Sequence, residues 1–209
     1  MVTFLRNILA PIGVSPRIKN ILSILAYGIV PGGGLFSSVL FPSAQTFALF
    51  GQWAQWGLVI ILFMKPISHI VPLNFLKRAL TYRRQLGVAV FWLSVFHGVG
   101  FIYRYELLVP GDFWGFTNHL LYAGTALLMM IVLGFTSNDL CVRLFRKNWK
   151  RIQYFAYPTL FFVLIHSSMW EGEMTKMYVL GGSFLILKYL EIKRFRLSAY
   201  VPVIEKWKL

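Results

Sequence analysis

Apolar residues run through this chain in six long stretches, and the polar positions between them come in short bursts. The stretches are Ile21–Phe41, Thr46–Met64, Leu86–Leu108, Phe113–Phe135, Ile152–Trp170 and Met174–Leu190. A hydrocarbon core of about 30 Å needs roughly 20 helical residues, so each stretch is a candidate transmembrane helix. The first contains Pro31-Gly32-Gly33-Gly34 and is expected to kink or break, with neighbouring helices satisfying the freed backbone groups. Met1 to Asn20 is basic and amphipathic and has no small-residue cleavage site, which predicts an interfacial cytoplasmic segment. The expected fold is all-α: an amphipathic segment over 1–20, a six-transmembrane-helix bundle over 21–191 and a basic tail over 192–209.

Composition agrees with this pattern, and charge orients it. Of the 209 residues, 57% are hydrophobic and 13% charged, against about 25% charged in a soluble domain. The net charge of +14 would suit a nucleic-acid partner, but its distribution argues against one. Lys65, Lys77, Arg78, Arg83 and Arg84 fall in one loop, and Arg143, Arg146, Lys147, Lys150 and Arg151 in another. The tail adds Lys193, Arg194, Arg196, Lys206 and Lys208. The alternate loops carry Glu106, Asp112, Glu171 and Glu173, with only Arg104 and Lys176 as cations. Positive charge collects on the cytoplasmic side of membrane proteins, which places both termini there. Trp53, Trp56, Trp114 and Trp170 at outer ends and Trp149 at an inner end suit interfacial belts. A single cysteine, Cys141, excludes an internal disulfide framework and any multi-cysteine metal site.

Two histidines stand out in this apolar setting. His97 lies within Phe91-Trp92-Leu93-Ser94-Val95-Phe96-His97-Gly98-Val99-Gly100, and His166 follows Phe161-Phe162-Val163-Leu164-Ile165. An ionisable side chain at membrane depth is costly and points to a functional site. Arg83-Arg84 precedes His97 by 14 and 13 positions, and Lys150-Arg151 precedes His166 by 16 and 15. At the helical rise these offsets are ~20 Å from Arg84 and ~22 Å from Arg151, so the two imidazoles share one level in the outer half. Such a pair suits a heme iron, whose axial positions accept imidazole nitrogen. The alternative is two buried histidines hydrogen-bonded to neighbouring helices. A zinc site usually takes four nitrogen, sulfur or oxygen ligands, and no carboxylate or thiolate lies at this depth.

Other residues are candidates around the pair. Gly98 and Gly100 would let a flat macrocycle approach the backbone. Arg104 is expected either to meet a heme propionate through a charge-assisted hydrogen bond or to lie on the surface. His119, ~28 Å along a helix counted from Asn138, is expected several ångströms above the pair. There it either lines an outer-side quinone or cofactor pocket or makes an interfacial hydrogen bond. His69 is expected in a cytoplasmic loop without a special role.

Several runs carry a family resemblance: Gly51-Gln52-Trp53-Ala54 through Met64-Lys65-Pro66, and Tyr82-Arg83-Arg84-Gln85-Leu86-Gly87 leading to His97. Further runs are Leu133-Gly134-Phe135-Thr136-Ser137-Asn138-Asp139 and Trp149-Lys150-Arg151-Ile152-Gln153-Tyr154-Phe155-Ala156-Tyr157 leading to His166. Over about Gly51 to Trp170 the chain resembles the ferric-reductase-like transmembrane superfamily. Within it, the chain resembles the heme-binding membrane subunits of bacterial periplasmic methionine sulfoxide reductase systems.

The resemblance implies a b-type cytochrome of the bacterial inner membrane. It would move electrons from a quinone, or less readily a flavin such as FMN, to a periplasmic acceptor. One departure matters. The family carries a histidine where this chain has Gln153, 13 residues before His166, and that position serves a second, cytoplasmic-side heme in two-heme relatives. Fourteen residues before His97 stands Arg83. One heme b, held by His97 and His166 as axial ligands, is therefore expected. No Gly-rich nucleotide fingerprint is present, so the expected partners are lipid, quinone and a periplasmic redox protein or larger membrane complex. The competing expectation is a structural or assembly subunit that keeps the fold without a complete electron path. A transporter or channel ranks third, because no charged residue lines the spans away from their ends except Lys188, which can snorkel.

Overall fold

Long apolar runs become helices because, out of water, each backbone N–H and C=O must find its partner within the segment. The structure, a computed structural model, describes residues 16–71, 74–105 and 118–195, without the side chains of Arg104 and Tyr105. Every regular element among them is helical. The helices are α1 (Pro16–Leu40), α2 (Ala44–Ile70), α3 (Asn74–Ala79), α4 (Arg83–Tyr105), α5 (His119–Phe135), α6 (Asp139–Phe145), α7 (Lys147–Gln153), α8 (Ala156–Glu171) and α9 (Thr175–Ile192). Three are long and apolar enough to cross a membrane: Pro16–Leu40, Ala44–Ile70 and Asn74–Tyr103. A fourth crossing results if α5 and α6, bent by 90°, count as one span. α8 has only 16 residues, and α9 carries Lys176, Lys188 and Glu191. The chain is a multi-pass membrane protein.

Prolines account for most differences from the expected elements. α1 does not break at Pro31. It passes through a π-helical turn at Leu25–Ile29 just before the proline, and the wider turn surrounds Tyr27, whose carbonyl Pro31 cannot bond and would otherwise crowd. α2 likewise continues past Pro66 to Ile70, so His69 lies in its last turn and not in a loop. Pro158 has the opposite effect. It sits in the first turn of α8, where a missing N–H is tolerated, and the regular α-helix is interrupted at Tyr154–Phe155 between α7 and α8, whose N–H groups bond three residues back. The single span expected over Ile152–Trp170 is therefore two helices, and Gln153 ends a different helix from the one bearing His166. The segment expected over 1–20 is outside the described residues up to position 15, and Pro16–Asn20 already form the start of α1. The tail from 196 onward is also outside them.

Helices α2, α4, α5 and α8 surround a common axis, with α1 packed on α4, and α9 on α8 and α2. One half of this bundle is a solid core of Leu62, Phe91, Leu133, Leu160 and Phe184 among others. Phe91 lies so close to Gly134 that a Cβ there would come within 2.3 Å of the ring. This is the half that ends in the basic loops. Lys188, at the same end of α9, bonds Glu191 at 2.8 Å and reaches the Tyr157 hydroxyl at 3.4 Å, while Lys65 meets Glu191 at 3.1 Å.

Polar residues of the family-like runs build the corner between α5 and α6. Arg84 donates from Nε to the Ser137 carbonyl (2.8 Å) and from a terminal nitrogen to Asp139 (2.5 Å). Tyr27 also donates to the Ser137 carbonyl, and Trp149 Nε1 to that of Thr136. These donors satisfy carbonyls that the end of α5 leaves without helical partners. Asn138 caps α6 by accepting the Cys141 N–H at 2.8 Å. The Arg84 guanidinium hydrogen-bonded to Asp139 holds its carboxyl below the ordinary carboxylate range.

Candidate functional site

The other half of the bundle encloses a cavity of about 470 Å³. Its walls are mostly apolar, and small residues (Ala48, Gly51, Ala123, Gly124) keep α2 and α5 from filling it. His97 from α4, His166 from α8 and His119 from the start of α5 all face it.

Each of the first two imidazoles is fixed by a backbone carbonyl. His97 Nδ1 lies 2.9 Å from the Phe47 oxygen, and His166 Nδ1 lies 3.1 Å from the His119 oxygen. A carbonyl only accepts, so both Nδ1 atoms carry the proton and both Nε2 atoms keep a lone pair. The ring centroids are 6.2 Å apart and the planes meet at 61°. Two imidazoles that share one metal ion with nitrogens ~2 Å away have their centroids about 6 Å apart, so the spacing suits a common ion between them. The cavity falls within the ~300–1,000 Å³ range of small-ligand and cofactor sites.

A further observation points to a bound group. Gln55 lines the cavity, is 7% exposed, and its Nε2 has no hydrogen-bond partner. A buried amide left without a partner costs about 1–3 kcal/mol, which a ligand accepting its N–H would offset. Among the described residues no three or more His, Cys, Asp or Glu side chains gather as a metal-binding group.

Several expected residues stand elsewhere than anticipated. Gly100 does not face a cofactor: the Phe47 ring fills the space above it, at 2.2 Å from where a Cβ would be. Gly98 does line the cavity, although Leu127 leans against it. The glycine that gives an imidazole its space is Gly51, where a Cβ would stand 2.5 Å from His97 Nδ1. Gly51 opens one of the family-like runs, but no local pattern shows this role for it or for Gln55, because the role depends on a helix distant in sequence. Arg104's side chain is outside the described residues. His119 lines the same cavity, stacked on His166 with centroids 5.7 Å apart and planes at 23°. Gln153 is half-buried and donates to Thr136 Oγ1 at 3.2 Å, joining the corner.

Residues 50–165 match the family described as the ferric reductase like transmembrane component. The chain belongs to this family. The matched stretch contains Gly51, His97 and His119 and stops one residue before His166. The magnetosome protein MamZ of Paramagnetospirillum magneticum is 27% identical over 151 residues, covering 70% of this chain and 23% of MamZ. MamZ of Magnetospirillum gryphiswaldense shows the same identity and coverage. The matched chain thus spans less than a quarter of the length of these relatives. No solved structure matches it.

Proposed function

We propose that this protein is a b-type cytochrome subunit that passes electrons between the quinone pool and a partner on the periplasmic side through one bis-histidine heme. In this reading the chain crosses the bacterial inner membrane six times with both termini cytoplasmic, as the distribution of lysine and arginine favours. The narrower assignment to a periplasmic methionine sulfoxide reductase system rests on the motif runs around Arg84, Thr136 and Trp149. A flavin donor ranks behind quinone. The observation that carries the reading is the geometry of His97 and His166: centroids 6.2 Å apart across an apolar cavity, with both Nδ1 atoms occupied by carbonyls.

Heme bound there would supply one-electron exchange at iron. The chain's own residues bind and orient. His97 and His166 present Nε2 lone pairs, and the Phe47 and His119 carbonyls fix each tautomer and raise its basicity. Gly51 leaves room for the His97 ring, and Gln55 keeps an N–H free for the bound group. The apolar walls limit water, which sets the local dielectric.

A reduced-minus-oxidised spectrum of the purified protein tests this reading. A low-spin b-type signal is expected, at one heme per chain, and lost in both His97→Ala and His166→Ala. Survival in either variant removes the bis-histidine assignment. A second reading, a structural or assembly subunit, is favoured by one observation: the family-like residues Arg84, Thr136 and Trp149, joined by the departing Gln153, build a hydrogen-bonded corner away from the cavity. It predicts a heme count of zero, with complex assembly insensitive to both histidine variants.

A further inference from the structure

We propose that His119 is a positioning residue for His166, fixing the plane of that imidazole through its own ring. The inference rests on the bis-histidine reading above and adds a role for the third histidine. His119 holds His166 twice. Its backbone oxygen accepts the Nδ1 proton at 3.1 Å, and its ring stacks on the His166 ring at 5.7 Å and 23°.

The two contacts do different work. A single hydrogen bond fixes where Nδ1 sits but leaves the ring free to turn about the N···O line. A flat neighbour at a small interplanar angle removes that freedom. His97 has the equivalent pair of restraints from α2, with the Phe47 oxygen on Nδ1 and the Gly51 backbone against the ring. On the His166 side the His119 ring supplies the flat restraint, stacked at 23°.

His119 is itself held. Asn118 caps α5, its side chain accepting the Leu120 N–H at 2.9 Å. The Trp170 indole meets the His119 ring at 5.3 Å and 61°. Trp170 in turn contacts Phe101 at 6.1 Å, and Phe101 contacts His97 at 5.0 Å. Five rings therefore close a circuit: His97, Phe101, Trp170, His119 and His166. Its effect is to lock the angle between the two candidate ligands at 61°. Ring orientation set from outside the ligand shell is one of the means by which a protein tunes a bound metal.

Electron paramagnetic resonance of the oxidised holoprotein tests this, because the g-values of a low-spin ferric heme report the angle between its axial ring planes. His119→Ala keeps the backbone carbonyl and removes only the ring. It should retain wild-type heme content while the largest g-value shifts and its line broadens. His119→Phe restores a flat neighbour and should return the signal to the wild-type position. A spectrum of His119→Ala that superimposes on wild type overturns the proposal, as does a His119→Phe shift as large as that of the alanine variant. Heme loss in both variants, as in His166→Ala, would make His119 a ligand and also overturn it. A wild-type protein without any low-spin signal overturns the bis-histidine reading itself, and this inference with it.

Discussion

The two halves of the helical bundle solve opposite packing problems with similar residues. Toward the basic loops, Phe91, Leu62, Leu133 and Leu160 fill the space between α2, α4, α5 and α8. Toward the histidines the same four helices enclose a cavity of about 470 Å³. Glycine works in both halves, to different ends. Gly134 is filled by the Phe91 ring, whereas Gly51 lets the His97 ring rest on its backbone with Nε2 still free. The contrast bears on Gln153. A second cofactor in the basic half would need more than a histidine at that position, because the volume is already occupied and Gln153 closes α7.

The largest effect should come from filling the hollow half. In Gly51→Val the new side chain has to displace an imidazole that is pinned to Phe47, so heme per chain should fall at least tenfold while the protein still purifies as a monodisperse species. Normal heme loading in Gly51→Val would show that the close approach does not hold His97. Emptying the filled half should act on stability alone. Phe91→Ala should cost about 3 kcal/mol, as large-to-small core changes do, seen as a lower midpoint of thermal unfolding with one heme per chain. Adding Gln153→His to that variant should leave the count at one; a count of two would erase the distinction between the halves.

Much of this distinction could not be read from the chain. The apolar runs located the helices, because a membrane segment must bond its own backbone. Counting along straight helices was less dependable. The count from Asn138 overstates the height of His119, because α5 ends at Phe135 and the chain then turns, so three counted residues do not lie along the axis. Pro66 and Pro158 look alike as letters. One is buried within α2 and the other sits in the first turn of α8, and packing decides which of them interrupts a helix. The pairing of His97 with His166 was legible from depth alone. The role of Gly51 was not, since a glycine beneath an imidazole has the same sequence signature as any other glycine in an apolar run.

The smallest effect is expected at the corner. Asp139 is paired with Arg84, so its carboxyl titrates below the usual range. Its contribution is fully present above the unfolded carboxylate value of about 3.9 and is lost as pH falls through the lower folded value. Asp139→Asn should flatten that acid limb of thermal stability without altering the heme spectrum. The side chain is 81% exposed, so the change should be slight, and a clear spectral shift would mean that the corner and the cavity are coupled.

The corner has one more consequence, for recognising relatives. Arg84, Thr136, Ser137 and Trp149 form the most distinctive wording in the chain, yet they hold a bend and touch neither imidazole. A descendant that lost its histidines could keep that wording intact, because the bend would still be needed to fold. Kinship measured by these residues therefore traces inheritance of a scaffold, and whether a given heir still carries current has to be asked of the three histidines instead.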